Sequence, residues 1–413
     1  MVTRPLHAVL LPPDRMLGPL AAALDGSGPA ILPLDPALPA GRLRRLLDEL
    51  APDAVLTGDG LDRLGRSSPG HSLGAGEDVA VVIATSGSTG EPKGVELSAA
   101  ALLGSARASL QRIGAAPGDR WLCCLPVSHI AGLQVLIRSL VAGSTPVVAG
   151  RLGPGVAASA DGAHVSMVPT QLHRLVEAGA SLSSFGIILV GGAGVAPALI
   201  TGARAAGGRV VTTYGMTETC GGCVYDGEPL DGVRVAVRTP TGGEGGLVAI
   251  SGPVLFSGYR RQPGLTAAVL DNGWFTTSDL GSIDASGRLV IRGRADDVIN
   301  TGGQKVAGGE VAAVLEACDS VRQAVVVGRP DPEWGERVTA IVVPADPAAP
   351  PDLALVRAHV RRSLPAAAAP REIVVVDEIP LLPSGKPDVW ALRHDGQETV
   401  DVPGTIVASE RYY

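Results

Sequence analysis

Thr85-Ser86-Gly87-Ser88-Thr89-Gly90-Glu91-Pro92-Lys93-Gly94 directly follows the apolar run Val79 to Ala84. These ten residues combine small hydroxyl side chains, glycines and a lysine. Glycines let backbone N–H groups turn toward an anion, and hydroxyls add further donors, so the pattern predicts a buried strand leading into a phosphate-cradling loop. We expect the next segment, Ala99 to Leu110, to be a helix packed behind the loop. A flexible surface spacer, the alternative, would need neither the lysine nor the buried strand.

The loop is not a Walker-type P-loop. That motif places lysine directly after its second glycine and a hydroxyl residue next, whereas here Gly90 is followed by Glu91-Pro92-Lys93-Gly94. The decapeptide instead resembles the signature phosphate loop of the adenylate-forming superfamily, which holds acyl-CoA synthetases, nonribosomal adenylation domains and luciferases. The resemblance implies that Thr85 and Lys93 are catalytic. It also implies nucleotide contacts from further loop residues, namely Ser86, Gly87, Ser88, Thr89 and Gly90.

Composition bounds the class of protein. The chain has 413 residues, of which 46% are hydrophobic and 18% charged, as expected for a soluble globular protein of two or more domains. Its net charge is −7 without a basic cluster, which argues against a nucleic-acid partner. Arg4, Asp14 and Arg15 interrupt the N-terminal segment, and we find no apolar stretch of about 18 residues. We therefore expect a cytoplasmic protein without stable membrane insertion.

The cysteines predict neither disulfides nor a metal centre. Their number, five, is odd and does not suit a disulfide framework. Cys220 and Cys223 are spaced Cys-Gly-Gly-Cys, but a structural zinc site usually needs a second such pair, which the other cysteines do not supply.

The distribution of apolar runs predicts an α/β fold. Short apolar runs alternate with helical stretches, which favours a large N-terminal domain with largely parallel sheets. From about Val233 to Ile291 short strands broken by turn residues indicate a β-rich subdomain, and after Arg294 a smaller α+β module follows. We predict an adenylation core over 1–295, a small C-terminal domain over 296–395 and a loosely ordered tail over 396–413. The superfamily resemblance implies that the small domain is mobile and carries a catalytic lysine loop.

A second motif, Tyr214-Gly215-Met216-Thr217-Glu218-Thr219, follows the predicted strand Val210 to Thr213. A tyrosine face suits a purine and a carboxylate suits Mg²⁺, although a strand-end turn with a buried tyrosine would show the same residues. The segment resembles the superfamily's YGxTE motif. The resemblance implies that Tyr214 stacks on adenine beside Gly215, that Thr217 donates to the α-phosphate, and that Glu218 and Thr85 bind Mg²⁺.

Two further motifs concern the ribose and the hinge. Gly273-Trp274-Phe275-Thr276-Thr277-Ser278-Asp279-Leu280-Gly281 resembles GWxxTGDxG, with Ser278 where glycine is usual. Asp279 would accept both ribose hydroxyls, since a carboxylate can take two parallel hydrogen bonds. The segment starting Arg292-Gly293-Arg294-Ala295-Asp296 resembles the family hinge. By that resemblance Arg294 contacts ribose or phosphate and Asp296 absorbs the rotation of the small domain. Alone, this segment would be a solvated charged turn.

The last two motifs concern the acyl transfer. Thr301-Gly302-Gly303-Gln304-Lys305 is similar to the family loop that lines the pantetheine tunnel, which implies that Gly302 and Gly303 bind coenzyme A. Pro383-Ser384-Gly385-Lys386 is similar to the C-terminal lysine loop. There Lys386 would lie between the substrate carboxylate and the α-phosphate, where a compact ammonium neutralises approaching anions. These motifs, in the family's order, identify the chain as a superfamily member that uses ATP, Mg²⁺ and coenzyme A.

A further segment bears on the acid substrate. Leu125-Pro126-Val127-Ser128-His129-Ile130-Ala131-Gly132-Leu133-Gln134, followed by Arg138-Ser139, resembles the o-succinylbenzoate-CoA ligase family of menaquinone biosynthesis in its short actinobacterial form. That acid retains one carboxylate after activation, so its pocket should contain a cation or several donors. Arg138 is one candidate, and the alternative for it is a surface or interface arginine. The other candidates for the acyl pocket are Ser128, His129, Thr170, Gln171 and Gly192.

Three alternatives stay open. The chain could be a CoA ligase for another aryl or acyl acid, or a stand-alone adenylation enzyme that loads a carrier-protein thiol. It could also be a non-catalytic nucleotide-binding protein, which is disfavoured because such a protein would not require Lys386. The family resemblance also makes a homodimer an expectation.

Overall fold

The computed structural model describes residues 3–64, 74–86, 92–150, 152–239, 246–295, 297–382, 387–394 and 406–409. Its α-helices are α1 Pro13–Asp25, α2 Ala40–Leu50, α3 Ala99–Ile113, α4 Ile130–Ala142, α5 Pro154–Ala158, α6 Pro169–Glu177, α7 Pro197–Ala205, α8 Pro263–Val269, α9 Gly308–Glu316, α10 Leu353–Val360 and α11 Val389–His394. Thr217–Thr219 and Ala366–Ala368 are 3-10 turns. No helix in these ranges is both long and apolar enough to span a bilayer.

The strands are β1 Thr3–Arg4, β2 Leu6–Val9, β3 Ala30–Pro33, β4 Ala54–Thr57, β5 Gly60–Arg63, β6 Ala75–Gly76, β7 Val79–Ser86, β8 Pro92–Ser98, β9 Trp121–Cys123, β10 Val147–Val148, β11 His164–Met167, β12 Ile188–Gly191, β13 Val210–Met216, β14 Gly221–Tyr225, β15 Glu228–Pro229, β16 Arg234–Arg238, β17 Gly246–Ser251, β18 Gly258–Tyr259, β19 Leu270–Asp271, β20 Trp274–Ile283, β21 Leu289–Arg294, β22 Val298–Thr301, β23 Gln304–Ala307, β24 Val321–Asp331, β25 Gly335–Pro344, β26 Glu372–Val375 and β27 Ile406–Ser409.

The chain divides into two compact units. The first comprises Met1–Gly192, Thr201–Ala236 and Ala249–Thr276, and the second comprises Ala193–Ile200, Val237–Val248 and Thr277–Tyr413. The functional domain bounds predicted from the sequence, 1–295 and 296–395 with a tail over 396–413, stay a prediction.

Two seven-stranded sheets form the first unit, in the orders β10-β9-β11-β12-β13-β14-β15 and β18-β8-β7-β3-β2-β4-β5. In the former sheet β10, β9, β11, β12 and β13 are parallel, and in the latter the central strands β7, β3, β2 and β4 are parallel. The apolar run of β7 fits its central place, because strands covered on both faces are hydrophobic throughout. From Val79 to Ile83 each residue is at most 1% exposed.

The second unit contains an antiparallel pair, β24 and β25, beside which β26 lies parallel to β25. Helices α9 and α10 cover this sheet through a core that includes Val311, Leu315 and Val356. A further five-stranded sheet has the order β16-β17-β20-β19, with β21 paired to β20. The predicted β-rich character between Val233 and Ile291 and the small α+β module after Arg294 are thereby confirmed.

One local expectation differs from the structure. The helix expected at Ala99 is confirmed as α3, whose N-cap Ser98 accepts a hydrogen bond from the Ala101 N–H. However, Pro92 to Gly94 does not belong to a loop that leads into that helix. It begins β8, which pairs antiparallel with β7, so the phosphate-loop sequence closes a β-hairpin. Proline is tolerated there because it occupies the first position of the strand.

Candidate active site

Four parallel strands, β9, β11, β12 and β13, end at the same edge of the first sheet. His129 follows β9, Thr170 follows β11, Gly192 follows β12, and Tyr214 lies near the end of β13. Ligands of open α/β sheets bind outside the carboxyl ends of parallel strands, where the connecting segments meet. The fold therefore brings sequence-distant candidates for the acyl and adenine pocket to one edge.

The hairpin of β7 and β8 places the ends of the predicted phosphate loop. Thr85 lies directly opposite Lys93, and its hydroxyl is 3.4 Å from the Lys93 carbonyl oxygen. The Lys93 Nζ lies 5.6 Å from the centre of the Tyr259 ring. The loop residues Gly87, Ser88, Thr89 and Gly90 lie outside the described residues, as does the side chain of Ser86. Their predicted nucleotide contacts stay predictions.

The Tyr214 to Glu218 motif combines a strand end with a rigid turn. A bulge separates Tyr214 from Gly215, and a Cβ on Gly215 would overlap the Gly221 carbonyl oxygen. Thr217 and Glu218 then form a 3-10 turn with Thr219. Because this turn follows β13, Glu218 lies at the same sheet edge as the other candidates.

Hydrogen bonds fix that turn from inside. The Thr219 hydroxyl accepts from the Met216 N–H at 2.9 Å and lies 2.7 Å from the Gly221 carbonyl oxygen. Gln134 on α4 donates to the Cys220 carbonyl oxygen over 2.8 Å. The backbone beneath Glu218 is therefore anchored to the helix layer.

Tyr259 is a site residue that sequence reasoning missed. Its hydroxyl donates to Glu218 Oε1 over 2.9 Å, and the residue is 9% exposed. Burial, followed by the nearby charge of Glu218, raises the pKa of the Tyr259 phenol, so the hydroxyl stays protonated and donates. The two residues lie 41 positions apart, and Tyr259 belongs to none of the sequence motifs, so no local signal could have identified the contact.

The donor chemistry of this corner fits a magnesium–nucleotide complex. Mg²⁺ is usually bound by one or two carboxylates together with substrate phosphates and water, rather than by a protein cage. Glu218 offers one half-buried carboxylate with one oxygen bonded to Tyr259, and Thr85 offers a hydroxyl. Within the described ranges no cluster of three or more His, Cys, Asp or Glu side chains could hold a metal ion by itself.

The acyl-side candidates surround the start of α4. His129 is its N-cap residue and, like Ser128, is half-buried. Gln171, one residue after Thr170, donates to the Cys124 carbonyl oxygen over 3.2 Å and so ties α6 to the segment after β9. Gly192 has φ +86°, a conformation that glycine adopts without strain.

Arg138 is buried, at 5% exposure, and is therefore not a surface arginine. Its guanidinium donates to Ser166 Oγ over 2.8 Å and to Ser109 Oγ over 3.4 Å, and it lies 4.4 Å from the centre of the Trp121 ring. Burial lowers its pKa, while the Tyr225 hydroxyl acts in the opposite direction. Among the residues that the structure describes, Arg138 has no carboxylate partner and its Nε has no hydrogen-bond partner. Arg138 is thus a buried cation without a carboxylate partner among the described residues.

In the second unit, Asp279 lies on β20 and faces a residue of β21. It is 8% exposed, lies opposite Arg294 and is 3.6 Å from that guanidinium. Its backbone N–H donates to Thr277 Oγ1 over 3.0 Å. The predicted ribose acceptor and its predicted cationic neighbour are therefore in contact. The hinge candidate Asp296 lies outside the described residues.

Gly302 and Gly303 form the tight turn between β22 and β23, with φ of +57° and +77°. Glycine is favoured at both positions, because they are the two central residues of a hairpin turn that requires positive φ. Other residues adopt positive φ only with backbone strain. The Gly302 N–H donates to the Trp334 carbonyl oxygen over 2.9 Å. A Cβ on Gly302 would lie 2.6 Å from the Trp334 ring, whereas one on Gly303 would meet open space.

Lys386 and the preceding residues Pro383 to Gly385 lie outside the described residues, but both ends of that segment are placed. Leu381 and Pro387 form an antiparallel bridge. The Asp388 N–H donates to the Pro380 carbonyl oxygen over 2.9 Å, and Asp388 Oδ1 accepts from the Ala391 N–H of α11. The residues that flank the lysine segment are therefore paired with each other.

Cys220 and Cys223 lie in the core. All five cysteines are free, and these two are fully buried. Burial raises the pKa of the Cys223 thiol to about 12, which keeps it protonated at neutral pH. A buried protonated thiol packs as a small apolar side chain.

Known proteins share both the sequence pattern and the fold. The AMP-binding enzyme family matches residues 66–260, and the AMP-binding enzyme C-terminal domain matches residues 310–386. A probable 2-succinylbenzoate–CoA ligase of Mycobacterium tuberculosis is 44% identical over 336 residues, which cover 76% of this chain and 84% of that protein.

Two solved structures resemble the whole chain. ATP-bound MatB from Rhodopseudomonas palustris has a TM-score of 0.82 at 26% identity, with coverage of 95% of this chain and 89% of that one. The o-succinylbenzoate CoA synthetase of Bacillus subtilis, in complex with its acyl-adenylate intermediate, has a TM-score of 0.79 at 26% identity, with coverage of 96% and 88%. The predicted superfamily and α/β fold are confirmed. The chain belongs to the AMP-binding enzyme family and is an adenylate-forming acyl-CoA ligase.

Proposed function

We propose that this ligase converts o-succinylbenzoate, ATP and coenzyme A into o-succinylbenzoyl-CoA, AMP and pyrophosphate, a step of menaquinone biosynthesis. The observation that carries the proposal is the buried Arg138 guanidinium, which has no carboxylate partner among the described residues. An uncompensated buried charge is costly unless a ligand pairs with it. The retained carboxylate of o-succinylbenzoate would supply that pair, and the similarity to the Mycobacterium tuberculosis protein supports the same acid.

The position of Arg138 suits such a role. Side chains of a helix point back toward its N-terminus, so Arg138 leans from the third turn of α4 toward the helix end that carries His129 at the sheet edge. It reaches Ser166, the last but one residue of β11, at 2.8 Å. His129, Ser128 and Thr170 lie at that same edge, and they would surround the aromatic part of the acid.

In the first half-reaction the other carboxylate of the acid attacks the α-phosphorus. A bond forms between a carboxylate oxygen and that phosphorus, the bond to the bridging oxygen of pyrophosphate breaks, and pyrophosphate leaves. Lys93, Thr85 and Thr217 bind the phosphates, Tyr214 stacks on adenine, and Asp279 accepts from the ribose hydroxyls. Lys386 neutralises the two approaching anions, so that positioning and electrostatics carry the step without a protein nucleophile.

Magnesium assists the phosphates in this proposal. Glu218 and Thr85 would hold the ion, which supplies charge neutralisation at the triphosphate when bound. Tyr214 and Gly215 precede Glu218 on the same strand end, so the chain itself aligns the adenine platform with the carboxylate.

In the second half-reaction the small domain rotates at Asp296, which moves Lys386 away and brings Gly302 and Gly303 to the channel for coenzyme A. The thiolate sulfur then forms a bond to the acyl carbon, and the bond from that carbon to the AMP oxygen breaks. The turn would present bare backbone to pantetheine at Gly303, where a Cβ would meet open space.

Product analysis by mass spectrometry tests the proposal. The protein is incubated with Mg-ATP and o-succinylbenzoate, with and without coenzyme A, and with benzoate and a medium-chain fatty acid as other acids. We expect an adenylate without coenzyme A and a thioester with it, for o-succinylbenzoate alone. Turnover of another acid would overturn the proposed substrate but not the assignment as an acyl-CoA ligase. An adenylate that ignores coenzyme A would indicate loading of a carrier-protein thiol.

Arg138→Met provides the residue-level test. The variant keeps the length and apolar stem of the side chain and removes the charge. Loss of a hydrogen bond to a charged group predicts a KM for o-succinylbenzoate about tenfold to hundredfold higher, with the KM for ATP unchanged. Arg120→Met is the matched control, because Arg120 lies on the surface, with 47% of its side chain exposed, and pairs with Asp161. Equal KM values in the wild type and Arg138→Met would remove Arg138 from the proposal.

A further inference from the structure

Residues 256–260 hold Glu218 at two points. The Phe256 N–H donates to the Glu218 carbonyl oxygen over 2.9 Å, and the Tyr259 hydroxyl donates to the Glu218 carboxylate over the same distance. One short segment therefore fixes both the backbone and the side chain of Glu218. A glutamate has three rotatable side-chain bonds, and a single well-placed donor at its end selects one arrangement of them.

The same segment is attached to the phosphate-loop hairpin. Tyr259 pairs with Val95 in β8, and the Arg260 N–H donates to the Gly94 carbonyl oxygen over 2.8 Å. Lys93 and Val95 lie two residues apart on one strand and so point to the same face. The backbone of Tyr259 is consequently placed in register with Lys93.

Aromatic packing fixes the Tyr259 ring. Phe256 contacts it edge-to-face with centroids 4.9 Å apart, and Phe275 contacts Phe256 with centroids 5.2 Å apart. Only three phenylalanines occur in the chain, and two of them are in this cluster. The Tyr259 N–H also donates to Thr266 Oγ1 over 2.8 Å. A ring held in this way delivers its hydroxyl to one position.

Tyr259 meets two opposite charges with two different parts of its side chain. The ring face, which carries negative electrostatic potential, lies under the Lys93 ammonium at 5.6 Å, and the hydroxyl donates to Glu218. No direct ion pair joins Lys93 and Glu218 in the part of the chain that the structure describes. A direct pair would satisfy both charges with each other and leave neither for a ligand.

We propose that Tyr259 is a positioning residue for nucleotide binding. It orients the Glu218 carboxylate toward the metal-bound phosphates and keeps Lys93 on its ring face, available for the phosphates. The inference rests on the proposed nucleotide roles of Glu218 and Lys93, and it concerns neither the identity of the acid nor the thioester step.

Calorimetric binding of α,β-methylene-ATP, without acid or coenzyme A, tests this role. The Kd is measured in excess Mg²⁺ and in EDTA. The ratio of the Kd in EDTA to the Kd in Mg²⁺ is the enhancement of nucleotide binding by the metal. Tyr259→Phe keeps the ring and the contact with Lys93 but removes the hydroxyl. We expect the enhancement of binding by Mg²⁺ to fall about tenfold in this variant, while the Kd in EDTA changes little.

Phe275→Leu is the matched control, because it loosens the same aromatic cluster without removing the hydroxyl. We expect it to lower the unfolding temperature and to keep the Mg²⁺ enhancement. A double-mutant cycle with Glu218→Gln adds a second measurement, in which Tyr259→Phe should cause no further loss once the carboxylate is gone.

The outcomes separate this inference from the proposed function. An unchanged Mg²⁺ enhancement in Tyr259→Phe, an equal loss in Phe275→Leu, or additive losses in the cycle would each overturn the role of Tyr259 alone. A wild-type protein that binds the analogue equally well with and without Mg²⁺ would overturn the proposed role of Glu218 as well, and with it this inference.

Discussion

Arg294 lies opposite Asp279 on the neighbouring antiparallel strand, with its Nη1 3.6 Å from the Asp279 carboxylate. The same guanidinium donates to Ser278 Oγ over 2.7 Å. The carboxylate proposed to bind ribose therefore has a cationic neighbour of its own, and the serine that replaces the usual glycine of the motif gives that cation a second contact. Orientation of Asp279 is thus a property of the β20–β21 pair.

Asp279→Asn should weaken ATP binding. An amide has one acceptor oxygen instead of two, and it cannot offset the charge of Arg294. We expect the Kd for ATP, measured by calorimetry, to rise about tenfold to hundredfold. Asp271→Asn, a change of the same chemistry at an exposed position, should leave it within about twofold. Equal losses in both variants would contradict the ribose role.

Much of the first unit could be predicted because its signals are local. The run from Val79 to Ile83 is apolar at every residue, as a strand buried on both faces must be. The β13 strand could also be predicted locally, because the run Val210 to Thr213 directly precedes the motif that contains Glu218. By contrast, the composition of Pro92 to Gly94 suggested a loop, and only pairing with β7 makes this segment part of a strand.

Residues that act through long-range contacts could not be predicted. Burial of Arg138 depends on Trp121, Ser109 and Ser166 from three other elements, and charged residues are ordinarily exposed. The contact of Tyr259 with Glu218 likewise joins segments that no sequence period connects. Tertiary packing brings these partners together, and the spacing of residues in the sequence does not encode which of them will meet.

The two glycines of the β22–β23 turn should respond differently to alanine. Both have positive φ, so each substitution strains the backbone by about 1–2 kcal/mol. Only Gly302→Ala would also press a methyl group against Trp334. With synthetic acyl-adenylate and coenzyme A, we expect thioester formation to slow at least about tenfold more in Gly302→Ala than in Gly303→Ala, and adenylation to be spared in both. Equal rates in the two variants would mean that the contact of Gly302 with Trp334 does not matter for thioester formation.

Glu316 makes stability depend on pH. It accepts a hydrogen bond from the Ala324 N–H at the end of α9, and burial raises its pKa. Because the folded-state pKa lies above the unfolded value, the protonated form favours folding, and this contribution is lost as pH rises through the folded-state pKa. Glu316→Gln keeps a hydrogen-bond acceptor and removes the negative charge. That charge is also unfavourable because it lies at a helix C-terminus.

We expect Glu316→Gln to be more stable than the wild type only at pH values above the folded-state pKa of Glu316. At pH 7 the free energy of unfolding of Glu316→Gln, measured by urea denaturation, should exceed that of the wild type by roughly 0.5 kcal/mol, because the charge at the helix end is removed. Near pH 4 the two free energies should coincide. Glu333→Gln, at an exposed position of the same unit, is the control and should show no such difference. A constant offset at both pH values would mean that packing, and not ionisation, separates the proteins.

Lys386→Ala should separate the two half-reactions. Lysine occurs at only three positions, 93, 305 and 386, so no neighbouring lysine of the C-terminal segment can replace the missing ammonium. The base of the lysine segment is held by Leu381, Pro387 and Asp388, whose contacts do not involve position 386, and the variant should keep its fold. The ammonium acts only as the two anions approach, so its loss should slow adenylation by about 10³-fold or more, measured as the rate of pyrophosphate release. Thioester formation from supplied acyl-adenylate should be unchanged. Loss of both reactions together would contradict this division, because it would place Lys386 in coenzyme A binding or in the domain rotation as well.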